Sequence, residues 1–125
     1  MQIKTLLSPD RVLLGLPAVS KAVLLQELAR RVAPAAGVDI PTIASALSAR
    51  EDLGSTGVGR GIALPHARIP GLGNFLGLFA RLATPIAFDA IDEAPIDLVF
   101  LLLAPAEGDS EHLAALAAIS LPGAV

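Results

Sequence analysis

The sequence predicts an α/β fold, a sheet with helices laid over it, in one domain. Three observations carry this prediction. Leu24, Leu25, Leu28, Ala29 and Val32 recur at helical spacing, with Lys21, Gln26, Glu27, Arg30 and Arg31 on the opposite face. The run from Ile96 to Leu103 shows no polar alternation, as expected of a strand buried on both faces. Helical and strand-like segments also alternate along the chain, and its 125 residues suit one domain better than two.

The elements follow in order. The first helix begins at Ser20, with Pro34 and Gly37 as its stop signals. A second runs from about Pro41 to Glu51, with Ile43, Ala46 and Leu47 inward. Pro41 is tolerated near its start because an amide there lacks a helical partner anyway. Gly54 stops this helix, and Gly54–Gly61 (GSTGVGRG) reads as a loop too flexible for regular structure. A short apolar strand at Ile62–Leu64 leads to Pro65, whose missing N–H ends it and aims His66. Turns around Pro70–Gly73 precede a strand at Phe75–Leu82. After the buried strand, Asp109 and Ser110 cap a last helix with His112 in its first turn.

Composition removes several function classes. Apolar residues make up 54% of the chain, so a substantial core is available, although many are alanine. There are four Phe and no Tyr or Trp, which argues against base-stacking or sugar-stacking surfaces. The net charge of −3, without a basic run, argues against nucleic acid as a partner. The absence of cysteine excludes disulfides, thiolate metal sites and cysteine nucleophiles. The longest near-apolar run, Leu98 to Ala106, is far too short for membrane insertion, and the first residues are no secretory signal. A cytoplasmic location follows by default.

Two side chains titrate near neutral pH, His66 and His112. His66 stands at the end of a short strand, where reactive groups are often held. Taken alone, Pro65–His66 reads more readily as a turn histidine without a role, and His112 as a structural helix histidine. The glycine-rich loop lacks the Gly-Lys-Ser/Thr ending of a phosphate-binding loop, and its G-x-G-x-G spacing misses the dinucleotide fingerprint. It fits a flexible connection as well as it fits an anion cradle built from Ser55, Thr56 and backbone amides. Arg50, Arg60 and Arg68 bracket it, and exposed loop arginines are usually just solvated. The histidines lack metal-ligand spacing, and no G-x-S-x-G elbow supports a hydrolase.

Together these pieces form a pattern. REDLGSTGVGRGIALPHARIPGL (Arg50 to Leu72) resembles the phosphohistidine signature of the mannitol/fructose/nitrogen-type IIA domains of the bacterial phosphotransferase system. PIAFDAIDEAPIDLVFLLLAPAEGDSEHL (Pro85 to Leu113) is similar to the same family, nearest its nitrogen-regulatory branch. The resemblance implies a mixed β-sheet flanked by α-helices, over a single domain at 1–125 that lacks the family's usual C-terminal portion. It implies that His66 accepts a phosphoryl group on Nε2, that His112 stands beside the phosphate, and that Arg50 balances its charge. Ser55, Thr56 and Gly57 would hold phosphate oxygens. No metal, nucleotide or other cofactor is implied.

The donor would be a histidine-containing phosphocarrier protein of the HPr or NPr type. It would dock on an apolar surface that includes Ile69 and Leu72, while Phe75 reads better as core. The chain would be a phosphotransferase component rather than a multiple-turnover enzyme. Regulatory targets would sense its phosphorylation state. The alternatives are a sugar-specific IIA component serving a IIB domain, and an interaction module that is never phosphorylated.

Overall fold

A computed structural model describes residues 8–106 of the chain. A 3-10 turn at Pro9–Arg11 leads into β1 (Val12–Leu16), followed by α1 (Lys21–Ala36) and α2 (Ile40–Asp52). Then come β2 (Gly57–Gly59), β3 (Ile62–Ala63), β4 (His66–Ile69), β5 (Leu76–Ile86) and β6 (Ile96–Pro105).

Both helices are set by local chemistry. Ser20 caps α1, its Oγ accepting from the Val23 amide at 3.2 Å. Gly37 closes α1 at φ 67°, a left-handed position that suits glycine, and its amide reaches the Ala33 carbonyl at 2.9 Å. Pro34 does not stop the helix as expected; it lies within the last turn. It sits on the exposed face, where solvent can replace the bond it forgoes to the Arg30 carbonyl. Asp39 caps α2 through the Thr42 amide, with Pro41 in the first turn, and the helix closes at Leu53 one residue before Gly54.

Among the described residues the strands form one six-stranded mixed sheet in the order β1-β5-β6-β3-β2, with β4 also paired to β6. β1 runs parallel to β5, while β5 and β6 form the long antiparallel pair at its centre. β3 and β4 follow one another along the same edge of β6, both parallel to it: Ile62 faces Leu98 and His66 faces Leu102. Across the break between them the Leu102 amide bonds the Pro65 carbonyl at 3.0 Å, so the ladder continues past the proline.

The period-2 alternation of β6 divides the interior. Val99, Leu101 and Leu103 join the main core with Leu24, Leu28, Val32, Ile43 and Leu47 of the helices. Leu102 packs on the other face with Leu64, against half-buried Ile62, Phe75 and Phe100. The expected inward faces of both helices are therefore buried, Ala46 only in part, and β6 is covered on both sides along most of its length, though Asp97, Leu98 and Phe100 are only half-buried.

Several expectations need correction. The stretch after Gly54 is not wholly irregular, because Gly57–Gly59 pairs antiparallel with β3. Pro65 does not hand over to a loop: His66–Ile69 is itself a strand, made by its ladder to β6. β5 extends beyond Leu82 to Ile86, and β1 had no counterpart in the sequence reading.

Candidate functional site

His66 is the first residue of β4. Ala67 and Ile69 turn into the helix-side core, so alternation sends the side chains of His66 and Arg68 to the other face. The imidazole is half-buried, and both of its nitrogens have partners. Nδ1 lies 2.8 Å from the Leu64 carbonyl, which can only accept, so Nδ1 carries the proton. Nε2 then carries the ring's lone pair, which accepts from the Arg50 Nε–H at 3.3 Å. This tautomer follows from the network.

Electrostatics agree with a neutral ring. Burial holds the His66 imidazole below its ordinary value, and the Arg50 cation adds to this. The bond to the Leu64 carbonyl and the Glu51 charge pull the other way. A neutral imidazole with Nδ1 protonated can act as a nucleophile through Nε2 once the Arg50 N–H moves off that lone pair.

Arg50 lies in the last turn of α2, and its Nη1 also donates to the Gly54 carbonyl at 2.9 Å. One guanidinium thus spans the turn after α2 and the ring of His66. The structure brings Arg50 and His66 together as the sequence predicts. His112 lies outside the described residues.

The glycine-rich segment is engaged in its own structure. The Ser55 hydroxyl donates to the Phe88 carbonyl at 2.8 Å and accepts from the Gly57 amide at 3.0 Å. Thr56 is buried; its amide and its hydroxyl both donate to the Glu51 carboxylate. Gly57 is required sterically, since a Cβ there would stand 2.8 Å from the Ala90 backbone. To hold phosphate oxygens, the Ser55 hydroxyl and the Thr56 and Gly57 amides would have to leave these partners. Arg60 sits at φ 58° with its amide on Asp92, and Arg68 is exposed.

The expected docking surface needs correction. Ile69 and Leu72 are buried in the main core: Ile69 because alternate residues of β4 face the helices, and Leu72 because the turn after β4, closed by its amide on the Ile69 carbonyl at 3.3 Å, folds it back onto the same core. Phe75 packs against Leu64 and Leu102. Exposed apolar side chains are found instead at Leu53, next to the site, and at Val58 and Ile91.

Sequence reasoning missed Glu51. It is buried, bonds Thr56 twice over, and forms an ion pair with Lys21 at 2.8 Å. Lys21 in turn lies 4.6 Å from the centre of the Phe88 ring. Nothing local in Arg50-Glu51-Asp52 marks the middle residue as the buried one. Among the described residues no cluster of three or more side chains could hold a metal ion, and no helix is long and apolar enough to cross a membrane.

A strand-borne histidine with Arg50 bonded to its Nε2 thus stands on a mixed sheet that packs under two helices. The comparisons place the chain. Residues 5–121 match the family model described as "Phosphoenolpyruvate-dependent sugar phosphotransferase system, EIIA 2", and the chain belongs to that family. It is 46% identical over 120 residues to a nitrogen regulatory protein of Bradyrhizobium diazoefficiens, covering 96% of this chain and 78% of that one. The crystal structure of the nitrogen regulatory protein IIA-Ntr of Neisseria meningitidis superposes with a TM-score of 0.88 at 36% identity, covering 92% of this chain and 79% of that one. The Escherichia coli mannitol enzyme IIA, solved in complex with phosphorylated mannitol enzyme IIB, shares the fold at a TM-score of 0.72 and 18% identity, covering 88% and 78%.

Proposed function

We propose that this chain is a regulatory phosphocarrier that takes a phosphoryl group on His66 Nε2 from a phosphohistidine of an HPr- or NPr-type carrier protein. The observation that carries the reading is the bond set of one ring. Nδ1–H is tied to the Leu64 carbonyl, leaving Nε2 nucleophilic and in contact with Arg50.

In the transfer, the Arg50 Nε–H leaves the Nε2 lone pair for the phosphoryl oxygens, the freed pair forms the new N–P bond as the donor's N–P bond breaks, and the donor imidazole keeps that electron pair. Such transfers pass through a loose transition state whose charge lies on the phosphoryl oxygens, so positioning and electrostatics supply most of the rate. Arg50 is the cation at that place. Nδ1–H stays on Leu64 throughout, and its bond strengthens as the ring takes positive character. His112 is assigned the second phosphate contact, and Ser55, Thr56 and Gly57 shape the adjoining wall.

Similarity to nitrogen regulatory proteins over 96% of the chain supports a regulatory role over sugar delivery. The test is incubation with phosphoenolpyruvate, the general phosphotransferase enzyme and a carrier protein. Wild type is expected to gain acid-labile, base-stable label and His66→Ala none. Equal labelling of both would refute the site. Efficient onward transfer to a sugar-specific IIB would instead favour the transport reading. Targets that read the switch are to be sought as proteins retained differently by wild type and His66→Asp.

A further inference from the structure

We infer that Glu51, through the Lys21–Glu51–Thr56 cluster, is the positioning residue that holds both nitrogens of the His66 ring in their working arrangement. The inference rests on the reading of His66 as phosphoryl acceptor and names a residue that reading does not need.

Two short chains of bonds run from Glu51 to the imidazole. The first passes along backbone. The Glu51 carboxylate accepts from the Thr56 amide at 3.1 Å, the Thr56 carbonyl accepts from the Leu64 amide at 2.9 Å, and the Leu64 carbonyl accepts from His66 Nδ1 at 2.8 Å. The second passes through Arg50, the neighbour of Glu51 on the last turn of α2. Arg50 Nη1 is fixed by the Gly54 carbonyl at 2.9 Å, within the 51–56 turn that Glu51 clamps, and Arg50 Nε donates to Nε2. The carboxylate therefore fastens the turn from which both partners of the ring are hung.

Glu51 is suited to this because its own position is over-determined. It accepts from the amide and hydroxyl of Thr56, pairs with Lys21 at 2.8 Å, and is shielded from water. Lys21 brings in the start of α1 and the Phe88 segment, which also receives the Ser55 hydroxyl. A buried carboxylate stripped of such partners is strongly unfavourable, so the cluster forms as a unit or not at all. The Glu51 charge also opposes that of Arg50 at the ring. Groups that lock the orientation of a reacting side chain in this way matter to rate, because small displacements of reacting atoms are costly.

The test uses the full chain and two readouts, the tautomer of His66 by long-range 1H–15N NMR and the initial rate of label uptake. Wild type is expected to show a single Nδ1–H tautomer. Glu51→Gln keeps the size but can accept fewer hydrogen bonds and has no charge for Lys21. It is expected to show mixed ring tautomers and a rate lower by on the order of tenfold to a hundredfold. A purely structural role would lower the melting temperature yet leave tautomer and rate unchanged in the folded protein, and that result would overturn the inference. If Glu51→Gln does not fold, Lys21→Met, which removes the counter-cation of Glu51 along with its contacts to the Phe88 ring and Asp89, is measured by the same criteria, with a change in the same direction expected and unchanged tautomer and rate again decisive against it. Should wild type take no label, the phosphocarrier reading fails, while the tautomer comparison still decides whether Glu51 sets the ring.

Discussion

Arg50→Gln is the substitution whose effect can be worked out most fully from the structure. It removes the cation whose Nε stands 3.3 Å from His66 Nε2, while keeping the aliphatic stem and placing a neutral amide nitrogen at about the position of Nε. Two unit charges about 4 Å apart interact by about 1 kcal/mol in water and about 4 kcal/mol at an effective dielectric of about 20. His66 and Arg50 are both half-buried, so a value between these limits, about 2–3 kcal/mol, is appropriate to the charge on the transferring group. That corresponds to roughly 30- to 150-fold in rate. The assay is the initial rate of label uptake from the phosphorylated carrier, at carrier concentrations well below saturation. Uptake within about twofold of wild type, in a variant with an unchanged amide spectrum, would refute the role of Arg50, since no estimate of this charge interaction in a half-buried site is so small.

Other outcomes follow from the same geometry. Burial holds the folded-state pKa of His66 below the ordinary histidine value of about 6.5, so as pH falls the unfolded chain takes its proton first. The His66 contribution to stability is then flat above neutrality and declines as pH drops from about 6.5 toward the folded value; over that window alone the urea midpoint of wild type should fall relative to that of His66→Gln. Gly57→Ala drives a Cβ to 2.8 Å from the Ala90 backbone. It should cost about 1–3 kcal/mol by denaturant titration, and a neutral result would mean the Ala90 segment yields freely. Leu28→Ala, at the fully buried centre of the helix–sheet contact, should cost about 2–5 kcal/mol by the same measurement.

The parts of the fold legible in the sequence are those dictated by local pattern. The buried stripe of α1, its Ser20 and Gly37 ends, and the apolar run of β6 announce themselves within one window of residues. β1 does not, because VLLGL is short and interrupted by glycine, and it is a strand only by virtue of pairing Val12 with Phe79, far along the chain. β4 is hidden for the same reason. His-Ala-Arg-Ile after a proline looks like a turn until Leu102–Pro105 supplies its ladder. The misplacing of Ile69 follows from that error, since a strand buries alternate side chains where a loop would not; Leu72 is buried instead by the turn that follows the strand.

The site divides in the same way. His66 and Arg50 were recoverable because they stand in a recognisable motif. Glu51 was not, because its importance arises from Thr56 and from Lys21, brought to it by the packing of α1 against α2. The sequence reading makes Ser55 and Thr56 ligands of phosphate oxygens, whereas in the structure their hydroxyls donate to the Phe88 carbonyl and to Glu51, partners that only the fold supplies.

The central claim concerns one atom. With the protein labelled in 15N and phosphorylated through the carrier, the phosphorus–nitrogen coupling can be read directly on the His66 ring. The account predicts coupling at Nε2, with Nδ1 still protonated and its proton still bonded to Leu64. Coupling at Nδ1, or on no atom of His66 in a protein that has taken up phosphate, would contradict it.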